Sequence, residues 1–240
     1  MSRSGEGIDV RPSESRFHTR IGWLDSRHSF SFGEHFDPEN VGHGQLLVLN
    51  DDRVAPASGF GTHGHRDMEI VTWVLDGTLE HRDSAGNHGV LYPGLAQRMS
   101  AGTGIRHSEM NPDPDREVHF LQMWVVPDTE GVEPGYEQLD VSDRLDGGGL
   151  VAVASGGGHE GAIRIHQRDA TMWVARLDRG ATVTVPAAPH VHVCGARGAA
   201  VRDGVEGTLS TGDAVRLTDA GSPVLAATAD GTEVVVWETA

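Results

Sequence analysis

Residues 62–112 read THGHRDMEIVTWVLDGTLEHRDSAGNHGVLYPGLAQRMSAGTGIRHSEMNP. Its apolar runs are of strand length and stop at turn residues: MEIVTWVL halts at Asp76-Gly77 and GVLY at Pro93-Gly94. Working outward, the same grammar recurs upstream in GQLLVLN, downstream in EVHFLQMWVVP, and again in GLVAVASGGG, TMWVARLDRG, ATVTVP, HVHVCGARG, AVRLTD, PVLAAT and TEVVVWE. Short runs at regular spacing, punctuated by DG, GG and PG, predict an all-β chain built as sandwiches or barrels. The 32 glycines point the same way, because glycine weakens helix interiors and serves tight turns. In Val118–Val125, Phe120, Gln122 and Trp124 share one face while Leu121 and Met123 share the other, so both faces are mostly apolar, as an inner strand requires.

With 240 residues, two barrels of ordinary domain size are expected. Composition turns polar and turn-rich after Pro127, in TEGVEPGYEQLDVSDRLDGGG. We therefore expect a first barrel over residues 1–130, a linker over 131–149 with a short helix around Tyr136–Leu139, and a second barrel over 150–240. The formal net charge of −16, with no cluster of lysine or arginine, argues against direct binding of nucleic acid or of an anionic membrane. No apolar run approaches the ~20 residues that span a bilayer, and MSRSGEGIDVRPSESRF lacks the apolar centre of a secretory signal, so a cytoplasmic location is expected. The single Cys194 can form no disulfide within the chain and reads as a buried small residue.

The chemistry gathers in the opening quotation. Side chains two apart on a strand point the same way, so His63 and His65 offer two imidazoles side by side, and Glu69 shares their face if the strand stays regular. At 14 histidines, chance alone supplies roughly one His-x-His pair, so this pair is no evidence by itself. Its weight comes from GTGIRHSE, where Gly102 and Gly104 permit a tight turn into a strand that carries His107 and Glu109 at the same spacing. Buried imidazoles and a carboxylate facing one interior are costly without a partner, so one divalent transition-metal ion is expected. Both acids stay open as ligands, with Glu69 otherwise supporting a ligand from behind or pairing with Arg66. A nitrogen-rich set of this kind suits iron(II) first and accommodates manganese, copper, nickel, cobalt or zinc. His81, His88 and His119 read as packing or surface residues. His190 and His192 echo the first pair, but no second His/acid pair follows, so no second metal is expected.

The stretches GWLDSRHSFSFGEHFDP, LLVLNDD, GFGTHGHRDMEIVTWVLDG, HRDSAGN and MSAGTGIRHSEMNP closely resemble the pirin family of the cupin superfamily. The resemblance spans most of Gly22–Pro127, and beyond Gly149 it rests on layout. It implies two cupin-type barrels (double-stranded β-helices, or jelly rolls) in tandem, with metal in the first and none in the second. By position, His63, His65, His107 and Glu109 match the family's ligands, whereas the general cupin pattern would take Glu69 and would place a proline where Gly102 stands. The implied activity is that of a quercetin dioxygenase: O2 cleaves the heterocyclic ring of a flavonol-like aromatic substrate and carbon monoxide leaves. Glu109 would then be the catalytic base, and Met68, Ile70, Phe120 and Trp124 candidate walls of a substrate pocket. The family also contains regulators that act through protein partners without catalysis, and cupin barrels host isomerases and hydrolases, so these remain rival expectations.

Overall fold

A computed structural model describes residues 7–202 and 207–240, and the counts below are of these residues. The chain is all-β, folded as two barrels, each made of a seven-stranded and a four-stranded sheet. In the first barrel the large sheet runs Gly135–Asp140, Leu95–Ser100, Glu69–Asp76, Val118–Val125, Leu46–Val54, Leu24–His28, Phe17–Ile21. Its small sheet runs Gly59–His65, Ile105–Met110, Leu79–Asp83, His88–Leu91. The second barrel repeats the plan. Its large sheet runs Ile8–Arg11, Ala214–Thr218, His190–Arg197, Thr232–Thr239, Thr171–Leu177, Val151–Ser155, Ile163–Arg164, and its small sheet Thr182–Thr184, Val224–Ala227, Ala199–Arg202, Thr208–Ser210. No helix among the described residues is long and apolar enough to cross a membrane.

The inner strands carry apolar residues on both faces because each face meets a different core. Val71, Trp73, Leu75, Leu121, Met123 and Val125 point away from the first barrel and pack with Val153, Met172, Val235 and Trp237 of the second in one continuous cluster. Two indoles stitch this joint: Trp237 Nε1 donates to Met123 Sδ at 3.1 Å, and Trp73 Nε1 to Glu233 Oε1 at 2.7 Å. The alternate residues Val74 and Phe120 fill the first barrel with Leu79 and Leu91. The interior of the second is a valine and leucine filling, including Val183, Val193, Val215, Leu225 and Val236.

Two segments differ from expectation. Tyr136–Leu139 is not helical: it lies in the strand Gly135–Asp140, paired antiparallel with Leu95–Ser100. Alternation decides this, since Leu139 packs on the core between the barrels while Tyr136 stacks near His81 at 4.9 Å between ring centroids. The short helix comes afterwards, at Ser142–Leu145. The stretch 131–149 thus supplies an edge strand to the first barrel, while Ile8–Arg11 pairs with Ala214–Thr218 of the second. Among the described strands, Ile8–Arg11 alone joins a barrel remote from it in sequence.

Candidate metal centre

The strands Gly59–His65 and Ile105–Met110 run antiparallel, with His107 opposite His63 and Ile105 opposite His65. Directly opposed residues lie close across a ladder. The three imidazoles consequently cluster, with ring centroids 4.4 Å (His63, His107), 4.8 Å (His63, His65) and 4.9 Å (His65, His107) apart. One ring nitrogen from each lies within 4.8 Å of the others, close enough to share an ion. The turn feeding the second strand needs glycine: Gly102 has φ +45°, and a Cβ there would collide with the Val132 carbonyl oxygen. Proline, whose ring holds φ near −65°, is excluded at that position.

The donor chemistry fits a metal ion. The Nδ1 of His63 donates to Gly61 O at 2.8 Å, which leaves Nε2 as the atom it can offer a metal. His107 Nε2 and Glu109 Oε1 are buried with no hydrogen-bond partner. Buried polar atoms left this way are expensive, and a cation satisfies an imidazole nitrogen and a carboxylate oxygen together. Burial, reinforced by neighbouring histidines, lowers His65 to about 4 and His107 to about 2, which keeps both imidazoles neutral, the form that binds metal. Glu109 is pushed up to about 7 by burial, against the hydrogen bonds of Gln122 and Thr72. Its Oε2 accepts from Gln122 Nε2 at 2.6 Å, and Gln122 Oε1 accepts from Thr72 Oγ1 at 2.7 Å, a relay that holds the carboxylate in place.

Glu109 reaches this cluster from one side. A register shift between His107 and Glu109 sets the carboxylate opposite Phe60, and its oxygen groups within 4.8 Å with His107 and His81. His81, expected as a packing residue, is thus a further donor beside the site: fully buried, with Nδ1 3.4 Å from His107 Nδ1 and Nε2 3.4 Å from Asp83 Oδ2. The sequence signal was its alternation with Leu79 and Asp83 on one strand face. Glu69 belongs to neither donor group. The strand of His63 and His65 ends before Asp67, whose φ of +46° breaks the face parity that would have carried Glu69 to the histidines. Nor does Glu69 pair with Arg66: its oxygens meet Ser100 Oγ at 2.9 Å and His166 Nδ1, from the second half of the chain, at 3.1 Å.

His63, His65 and Glu109 open onto a cavity of about 570 Å³, with His107 behind them. Of the four expected wall residues only Trp124 lines it, with its ring 4.9 Å from that of His65. Ile70 is buried with Met99 and Ile105, Met68 packs against that cluster, and Phe120 lies in the core with Val54 and Val74. The opposite wall was missed. Phe32 meets Trp124 edge-on at 5.5 Å, His28 Nδ1 bonds Asn50 Oδ1 at 2.8 Å, and Thr19 Oγ1 bonds His28 Nε2 at 2.9 Å and His35 Nε2 at 3.1 Å. Beside them, Asp52 accepts from Ser26 Oγ and is pushed up to about 7 by burial. The alternations Ser26/His28 and Asn50/Asp52 carried the signal, but it becomes legible only once the two strands pair, His28 opposite Asn50 and Ser26 opposite Asp52. Elsewhere, His119 Nε2 pairs with Asp51 Oδ1 at 2.6 Å and His88 Nε2 with Glu80 Oε1 at 2.9 Å. Neither His190 nor His192 belongs to a donor group among the described residues.

The chain is also similar to known proteins. Residues 10–125 match the Pirin family and residues 152–238 the Quercetinase C-terminal cupin domain. A Mycobacterium tuberculosis protein, provisionally named quercetin 2,3-dioxygenase, is 54% identical over 96% of this chain and 94% of its own length. The quercetin 2,3-dioxygenase of Escherichia coli K12 is 40% identical over 87% of this chain and 89% of its own. The crystal structure of the bacterial pirin YhhW from Escherichia coli in complex with nickel(II) superposes with a TM-score of 0.88 at 37% identity, covering 97% of this chain and 98% of that one.

Proposed function

The chain belongs to the pirin family, and on that premise we propose that it is a metal-dependent oxidoreductase of the quercetin 2,3-dioxygenase type. The observation that carries the reading is the convergence of three imidazoles, with buried unpartnered atoms on His107 and Glu109, two of the imidazoles and Glu109 lining a cavity of about 570 Å³. That volume falls within the ~300–1,000 Å³ typical of small-molecule sites. His63, His65 and His107 would hold the ion and Glu109 would complete the set, with iron(II) proposed as the native metal and nickel(II) the ion named for the Escherichia coli pirin. When bound, such an ion supplies Lewis acidity toward a flavonol hydroxyl and the electronic coupling that brings O2 into reaction with the resulting enolate.

The chain's own residues do the rest. Glu109 Oε1, free of hydrogen bonds, takes the flavonol's hydroxyl proton, while Gln122 fixes Oε2. Trp124 and Phe32 offer faces and edges for a flat aromatic ligand. The wall of Thr19, His28 and His35 offers hydrogen-bond partners for its further hydroxyls. The sum of the reaction is flavonol plus O2 giving a depside ester and carbon monoxide.

The test starts with elemental analysis of the protein as isolated. The iron-loaded protein is then given quercetin under air, and flavonol absorbance, O2 uptake and carbon monoxide are followed together. All three should change with near 1:1:1 stoichiometry. A fully metallated sample that leaves the flavonol intact, while His63→Ala abolishes binding to a protein partner, would replace the enzyme reading with a regulatory one. Turnover without O2 uptake would replace it with an isomerase or hydrolase.

A further inference from the structure

A second polar cavity, of about 20 Å³, shares no lining residue with the large pocket. Arg11, Ser15, Arg16, Ser29, Asn40 and Arg216 line it, so it lies where the N-terminal segment and the first barrel meet the strand Ala214–Thr218 of the second. Arg16 is 8% exposed and Arg216 6%. Two guanidiniums buried side by side are costly unless counter-charge and acceptors answer them.

They are only partly answered. Arg216 Nη2 donates to Ser29 O at 2.7 Å and its guanidinium carbon lies 4.4 Å above the Phe30 ring, yet it makes no ion pair with a carboxylate among the described residues, and its Nε has no partner. Arg16 donates from Nη2 to Cys194 Sγ at 3.5 Å and stands 3.5 Å from Asp51 Oδ2, while its Nε and Nη1 make no hydrogen bond. Asp51 is itself shared with His119 at 2.6 Å, and Asp9 is taken by Arg11 at 2.6 Å. His192, opposite Arg216 across the ladder, is held neutral by burial and supplies no negative charge. Of the two buried guanidiniums, Arg16 pairs with one carboxylate, Asp51, and Arg216 with none among the described residues, so positive charge is under-compensated at the cavity. Four donors around the cavity (Arg16 Nε and Nη1, Arg216 Nε and Ser29 Oγ) make no hydrogen bond, though Arg16 Nη1 stands 3.5 Å from Asp51 Oδ2, against one unpartnered acceptor, Asn40 Oδ1.

We propose that this cavity binds one small monovalent anion of chloride size, shared by Arg16 and Arg216, and that the anion clasps the N-terminal segment and first barrel to the second. At about 20 Å³ the cavity is small, which suits a compact monatomic anion. A water molecule would satisfy donors there but leave the charge under-compensated, whereas an anion satisfies both. The site is independent of the metal centre and of the proposed oxygenase activity.

The experiment is thermal unfolding of the metal-loaded protein in sodium chloride against sodium gluconate at equal ionic strength, with a bromide-soaked crystal recorded at the bromine edge. Because the anion binds only the folded chain, chloride should raise Tm relative to gluconate, by roughly 5 °C at a hundredfold excess over its dissociation constant. General salt effects favour gluconate, so a rise specific to chloride isolates binding. An anomalous peak should lie between Arg16 and Arg216, and Arg216→Gln should abolish the difference between the salts. Equal Tm values in the two salts together with no bromide peak, the cavity holding water only, would overturn the proposal. Should Arg216→Gln not fold, the crystal soaked in bromide decides it alone.

Discussion

The two barrels share one topology and differ in what fills it. In the small sheet of the first, strand order Gly59–His65, Ile105–Met110, Leu79–Asp83, His88–Leu91 corresponds to Thr182–Thr184, Val224–Ala227, Ala199–Arg202, Thr208–Ser210 in the second. The strand matching that of His63 and His65 is therefore Thr182–Thr184, and the one matching His107 and Glu109 is Val224–Ala227. Val183 stands opposite Leu225 there, as His63 stands opposite His107 in the first barrel, and both are buried in the apolar filling. His190 and His192 lie on the counterpart of Glu69–Asp76 instead, so their likeness to the first His-x-His pair is a likeness of spacing and not of position. One scaffold thus tolerates either a polar site opening on a cavity or a closed hydrophobic core. The choice turns on a few residues on two paired strands.

The sharpest way to break this contrast is His107→Ala, which should lower metal affinity by about a hundredfold or more and leave the dialysed protein close to metal-free by elemental analysis. Leu225→Ala, its counterpart in the second barrel, should leave the stoichiometry unchanged. Next in size, Trp237→Ala removes a fully buried indole from the joint between barrels and should cost about 3–5 kcal/mol in denaturant unfolding. If the barrels instead melted separately with the first unaffected, the shared core would not couple them.

A smaller effect depends on pH. Asp52 is held uncharged by burial, with its value pushed up to about 7. Its stabilising protonation is complete below the unfolded value near 4 and is lost as pH rises through about 7. In metal-free protein, Asp52→Asn, which can still accept from Ser26, should hardly alter stability at pH 4. At pH 8 it should be stabilising, on the order of 1.4 kcal/mol for each unit of the difference. Denaturation midpoints at the two pH values measure it, and a variant equally destabilised at both would show Asp52 ionised in the fold. Smallest of all, His192→Leu should leave metal content unchanged and stability within about 1 kcal/mol, since neither ring nitrogen has a partner to lose and the volumes are close.

Local pattern carried much of this protein. Alternation along EVHFLQMWVV foretold a strand buried on both faces, and the spacing of His63, His65, His107 and Glu109 marked the strands that meet at the site. These are short-range properties: the two-residue period of a strand and the turn preference of glycine operate within a few residues, so they can be read along the chain. Tertiary structure alone decided the rest. A left-handed Asp67 took Glu69 away from the histidines and gave it to His166, nearly a hundred positions on. Pairing of distant strands brought His28, Asn50 and Asp52 to the pocket wall, buried His81 beside Glu109, and sent Ile8–Arg11 to the far barrel. Register and strand exchange depend on which remote edge a segment finds, and that is a property of the folded whole rather than of any stretch of residues.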